Sequence, residues 1–152
     1  MPRNLFGRIL VVVDGAEPSV AAGNYAVQLA AQCGGELTAI HVVDTATMDY
    51  LSHMRILVSE ERLEFERDLA TSGQRYLEYV RTVGRASGLD VRTVQGKGNL
   101  HQTVLKEAET LAVDVIVVGG WSASVLQKDF SSVERQLLMS EARCPVIVVK
   151  AK

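Results

Sequence analysis

The sequence predicts an open, doubly wound parallel α/β sheet of five strands with helices on both faces, and three observations lead there. Short apolar, β-branched runs alternate along the chain with helix-length segments of mixed charge. The runs at residues 9–13 and 146–149 are nearly continuous rather than alternating, as strands covered on both faces require. Glycine-marked turns and crossover-length segments separate them, which suits parallel neighbours rather than hairpins. In a chain of 152 residues, 47% of them apolar, one domain over 1–152 has enough material for a two-sided core.

The first strand is Arg8-Ile9-Leu10-Val11-Val12-Val13, stopped by Asp14-Gly15. Pro18 and Ser19 open a helix whose apolar positions Val20, Ala21, Tyr25, Val27, Leu29 and Ala30 recur at helical spacing up to Gly34-Gly35. Residues 37–43 form the second strand, completing a βαβ unit. Residues 45–58 are irregular, and Ser59-Glu60-Glu61 then caps a long charged helix carrying Leu63, Phe65, Leu69, Tyr76, Leu77 and Val80 to near Gly88. Leu89-Asp90-Val91-Arg92-Thr93-Val94 alternates as a third strand, and Gly96-Lys97-Gly98 reads as a turn. Asn99 caps a helix through Leu111, and residues 113–118 give the fourth strand. After a loop at 119–131 and a helix at 132–141, Cys144-Pro145 leads into the fifth strand, residues 146–150.

In an open sheet of this kind, ligands bind outside the carboxyl ends of the strands where the winding direction reverses. Candidate site residues therefore lie in the turns after strands one, two and four, at Asp14, at residues 42–44 and from Gly119 onward. These are also the places where the chain resembles the universal stress protein family. Residues 8–19 resemble the family's opening strand and Asp-Gly-Ser-Glu turn, with Ala16 in place of the serine. Ile40-His41-Val42-Val43-Asp44 resembles its second strand, and residues 113–119 and 144–150 its fourth and closing strands. Four such pieces in the correct order, spanning 8–150, carry the resemblance.

The resemblance implies a Rossmann-like, adenine nucleotide alpha hydrolase-like fold with strand order 3-2-1-4-5, and a cytoplasmic stress-response module. It also implies a crevice for ATP or AMP, with magnesium accompanying ATP. The nucleotide-binding residues it implies are Val12, Asp14, Val42, Val43, Gly119, Gly120, Ser122, Ser131, Ser132 and Val133. Nucleotide-binding relatives carry a glycine loop after the fourth strand: glycine, two residues, glycine, nine residues, then Gly-Ser or Gly-Thr. Its missing Cβ atoms let backbone N–H groups close on phosphate. Here Ser122 stands at the second glycine, and Ser132-Val133, or Ser131-Ser132 with a one-residue slip, stands at the Gly-Ser. Serine adds a hydroxyl donor, but at a positive φ it is strained by roughly 1 kcal/mol or more, which weakens the grip on phosphate. Weak nucleotide binding, a nucleotide-free dimeric interaction protein, and slow ATP hydrolysis are the three readings that follow.

Asp14 has two roles open to it, a hydrogen bond to adenine or ribose and a cap for its own turn or the next helix. Lys97 either reaches toward phosphates from a neighbouring strand end or belongs to a flexible strand-to-helix turn, and Lys128 and Asp129 either pair with a phosphate and a metal respectively or are solvated loop charges. Trp121 is either a stacking surface or a packing anchor. The Gly-Lys-Gly triplet lacks the P-loop spacing. His41, His53 and His101 share no metal-ligand spacing, Cys33 and Cys144 read as small core residues, and no Gly-x-Ser-x-Gly elbow is present. A net charge of −2 with dispersed basic residues argues against nucleic acid. No apolar run approaches the roughly 20 residues that span a bilayer, and the first eight residues lack a signal-peptide core. The apolar last strand, placed at a sheet edge, would need a cover, and relatives pair it with a twofold mate; a homodimer through residues 146–150 is the expectation.

Overall fold

The computed structural model describes residues 3–55, 59–120 and 130–151. Its elements run β1 (Arg8–Val12), α1 (Glu17–Cys33), β2 (Glu36–Asp44), α2 (Thr45–His53), α3 (Ser59–Ala86), β3 (Arg92–Gly98), α4 (Leu100–Thr110), β4 (Val115–Gly119), α5 (Phe130–Glu141) and β5 (Val146–Val149). The strands form one sheet in the order β3-β2-β1-β4-β5, with every neighbouring pair parallel, as expected.

Alternate residues of the central strands feed two separate cores. Ile9, Val11, Val13, Val115 and Val117 pack under Ala22, Ala26 and Ala30 of α1 and Leu77 and Val80 of α3. Leu10, Val12, Ile40, Val42, Ile116 and Val118 pack under Val104 and Ala108 of α4 and Leu138 of α5. Burial on both faces explains why these strands read as unbroken apolar runs. No helix among the described residues is long and apolar enough to cross a membrane.

Three expectations about elements need correction. The third strand is not 89–94 but Arg92–Gly98, so Gly96-Lys97-Gly98 is strand rather than turn, paired with Val42, Val43 and Asp44 of β2. Pairing with a long central strand overrides the low strand propensity of glycine, and Gly96 fits because a Cβ there would stand 2.7 Å from Thr103 Cγ2 on α4. Leu89 instead closes α3, its N–H donating to Gly84 O at 2.8 Å after Gly88 turns at φ +78. Within the segment read as irregular, Thr45–His53 is a helix; with Met48 its one fully buried apolar side chain, it shows too little periodicity to announce itself. The last helix begins at Phe130, two residues before the expected start. Cys33 and Cys144 are free thiols, partly buried rather than in the core, and burial raises the Cys144 pKa.

Helix α3 lies close to β2 because Gly73 faces His41. A Cβ at position 73 would stand 2.2 Å from His41 Nδ1. Gly73→Ala should therefore destabilise the fold by about 1–3 kcal/mol, read as a lower urea midpoint. Combined with His41→Ala, it should cost less than the sum of the two single changes.

Candidate functional site

Parallel pairing puts the carboxyl ends of β1, β2 and β4 on one rim, so the reversals at Asp14, Asp44 and Gly119 converge there. The helix leaving β1 packs on one face of the sheet and the helices flanking β4 pack on the other. This is the arrangement that opens a crevice at a switch point.

The turn after β1 is tightly organised. The Asp14 N–H donates to Ser19 Oγ at 2.7 Å, and the Ala16 N–H donates to Asp14 Oδ1 at 2.9 Å, an Asx turn that leads into α1. Gly15 holds φ +83, and a Cβ there would strike Tyr76 of α3 at 2.1 Å. The end of β4 approaches the same turn: a Cβ on Gly119 would stand 2.5 Å from the Pro18 carbonyl carbon and 2.7 Å from Ser19 N. Only glycine fits between the strand end and the first turn of α1.

The second oxygen of Asp14 faces Arg135, which reaches over the rim from α5. Arg135 Nη2 is 3.5 Å from Asp14 Oδ2, and Nη1 donates to Gly120 O at 3.3 Å. The preceding residue, Glu134, turns to α4 instead. Its carboxylate accepts the His101 N–H at 2.9 Å, the His101 ring Nδ1–H at 2.6 Å and Asn99 Nδ2 at 3.0 Å. An acceptor at that distance places the ring proton on Nδ1. His101 Nε2 then lies 3.4 Å from Glu141 Oε2. Burial pushes the Glu134 pKa up, but the three donors outweigh it and hold the carboxyl below its ordinary value.

On the opposite face His41 is buried beneath α3. Gln95 Nε2 donates to Ala70 O at 2.9 Å and lies 3.2 Å from His41 Nδ1. Burial lowers the His41 pKa, opposed by the charge of Asp14. His41 thus lies within electrostatic reach of the crevice carboxylate.

The candidate residues divide accordingly. Asp14, Gly119 and Gly120 meet at the rim, with Val12 and Val42 buried on the face that carries α5. Val43 points to the other face and is 1% exposed. The Gly120 N–H donates to Val149 O at 2.7 Å and so serves β5. Ser131 and Ser132 fall in the first turn of α5, and the Val133 side chain is 48% exposed. Ser122, Trp121, Ser124, Lys128 and Asp129 lie outside the described residues. Lys97 is held by Glu66 of α3 at 2.8 Å. Among the described residues no cluster of three His, Cys, Asp or Glu could hold a metal ion.

Two contributors were not singled out from sequence: Arg135 and the Glu134–His101 pair. Their signal is faint, an adjacent acid and base just past the serines that open the last helix. The crevice is identified by topology, and Val13 and Ser19 of its β1 turn also line a neighbouring cavity. A cavity of about 490 Å³ lies at the other rim, among Lys106, Val113, Ile116 and Cys144, and a smaller one of about 250 Å³ lies between α1 and α3.

Because Glu134 has a depressed pKa, its contribution to stability is complete above its unfolded-state value of 4.5 and is lost as pH falls through the lower folded value. Glu134→Gln should therefore flatten the dependence of the urea midpoint on pH as pH falls from about 5 to about 3, and the wild-type chain should lose more stability than the variant over that window.

Comparison with known proteins agrees with this geometry. The family model described as "Universal stress protein family" matches residues 5–150. Universal stress protein YxiE of Bacillus subtilis is 26% identical over 148 residues, 96% of this chain and 100% of that protein. Universal stress protein MJ0531 of Methanocaldococcus jannaschii is 28% identical over 148 residues, 97% of this chain and 84% of its own length. The fold is similar to that of a universal stress protein family member from Burkholderia pseudomallei, with TM-score 0.75 and 19% identity over 97% of this chain and 98% of that one. It is also similar to the Archaeoglobus fulgidus universal stress protein in complex with dAMP, with TM-score 0.63 and 15% identity over 96% and 99%. A universal stress protein in complex with cAMP aligns at TM-score 0.64 and 15% identity over 97% and 98%. With strand order, crevice and family match in accord over nearly its whole length, the chain belongs to the universal stress protein family.

Proposed function

We propose that the chain is a stress-response regulatory module that binds an adenine nucleotide, ATP or AMP, weakly in the crevice and acts as a homodimer. The observation that carries this reading is the convergence of Asp14, Val42 and the Gly119-Gly120 strand end on one rim, with a guanidinium across from the carboxylate. Asp14 is the acceptor for ribose hydroxyls or adenine, and the β1 and β2 ends form the apolar wall. The complexes of similar folds with dAMP and cAMP support the ligand class.

Weakness follows from the donors. The Gly120 N–H is committed to Val149, and serines 122, 131 and 132 replace loop glycines. The reading is one of binding rather than catalysis. The Ser19 hydroxyl beside Asp14 is buried and accepts the Asp14 N–H, so it is a turn residue and not a nucleophile. A second reading, an interaction module without nucleotide, draws support from Tyr50 and Met54 at α2 and Leu63 and Phe65 at the start of α3, all strongly exposed.

β5 is an edge strand of four residues, bonded on one side to β4. Pairing with a second copy is the cover such an edge needs.

Titration calorimetry with ATP, ADP and AMP, each with and without magnesium, tests the nucleotide reading. Binding in the high-micromolar to millimolar range is expected, and Asp14→Ala should weaken it by about tenfold through a lost charged hydrogen-bond partner. No heat with any nucleotide at millimolar concentration would sink this reading in favour of the interaction module. Sedimentation velocity should give twice the 16.5 kDa chain mass; a monomer across the micromolar range would remove the edge-strand dimer.

A further inference from the structure

We infer that Arg135 is the phosphate-recognising group of the crevice, taking the part that a glycine backbone cradle would otherwise play; this rests on the nucleotide-binding reading above. The guanidinium carries five N–H donors. Among the described residues it spends two of them, on Gly120 O at 3.3 Å and Asp14 Oδ2 at 3.5 Å. Both are longer than the roughly 2.8 Å of a well-formed charge-assisted bond, so the carboxylate leaves the cation incompletely satisfied. The Arg135 side chain is only 15% exposed, which strengthens its attraction for an anion relative to a solvated surface arginine.

The described surroundings do not occupy this cation further. Glu134, its neighbour in sequence, is turned to α4 and satisfied there by Asn99 and His101. Lys97, at the end of β3 on the same rim, is held by Glu66. The Gly120 N–H, a natural cradle donor, is taken by Val149. Phosphate recognition at the described part of the rim thus falls to Arg135.

The pairing with Asp14 also defines what kind of ligand fits. A phosphate drawing the guanidinium away leaves a carboxylate in need of donors, and a ribose supplies hydroxyls. A nucleoside phosphate brings both groups. Inorganic polyphosphate brings only the first, and a nucleoside only the second.

The test is titration calorimetry of the full chain with AMP, adenosine and sodium tripolyphosphate, comparing wild type with Arg135→Gln and Arg135→Lys. Arg135→Gln should weaken AMP and tripolyphosphate by about tenfold to a hundredfold and leave adenosine unchanged. Arg135→Lys should recover part of the loss, because a point charge lacks the planar fork. Circular dichroism checks each fold; should the glutamine variant not fold, the lysine variant, weaker for AMP and unchanged for adenosine, carries the same test. An unchanged ratio of AMP to adenosine affinity overturns the role of Arg135 while leaving the nucleotide reading intact. A gain in adenosine affinity in Arg135→Gln also overturns it, since the arginine is then a stopper on Asp14. Tripolyphosphate binding that depends on Arg135, with no preference for adenine compounds, keeps the arginine's role and overturns the nucleotide reading. Silence toward AMP and tripolyphosphate alike at millimolar concentration overturns both.

Discussion

β1 has hydrogen-bonded neighbours on both sides, yet the chain leaves it toward β2 across one face of the sheet and returns to β4 across the other. A right-handed crossover can cover only the face on which it runs. Between the carboxyl ends of β1 and β4 the two connections diverge, and none of the described helices closes the gap. Everything polar at this rim depends on that divergence. Asp14 can face outward because the chain turns away beneath it, and Arg135 can face Asp14 because α5 approaches from the opposite layer.

On the face that carries α1 and α3, glycines let helix and sheet approach closely. Gly119 lets the end of β4 touch the first turn of α1, and Gly73 lets α3 settle on the His41 ring. The interior then stays dense while the rim stays open. Charge is apportioned with similar economy. Adjacent residues of α5 serve opposite purposes, Glu134 fastening the helix to α4 and Arg135 presenting a cation to β1 and β4. Had Glu134 turned toward Arg135 instead of α4, a direct ion pair would have occupied the guanidinium that faces the crevice.

Most of the architecture was legible in the sequence because parallel strands buried on both faces leave unmistakable apolar runs. The stretches at 9–13 and 115–118 could be little else, and their alternation with helices dictated the sheet class. Legibility failed where tertiary pairing overrode local preference. Gly96-Lys97-Gly98 has every local mark of a turn, yet β2 offers a partner for each of its residues. Helix α2 escaped notice because one buried methionine makes no period. At the site, Asp14, Gly119 and Gly120 could be found because they end strands, and topology fixes where strands end. Arg135 could not, because its place depends on the reach of a side chain across two layers, which no spacing along the chain encodes.

The hydrogen bond from the Gly120 amide to the Val149 carbonyl ties the crevice to the outermost strand. One residue, Gly120, has its carbonyl oxygen under the guanidinium and its amide hydrogen on the sheet's border, the two carried by successive peptide groups that meet at a single Cα. Where two binding events bear on a shared residue and one alters the other, thermodynamic reciprocity makes the factor the same in both directions. The border of this sheet and its crevice therefore meet at Gly120.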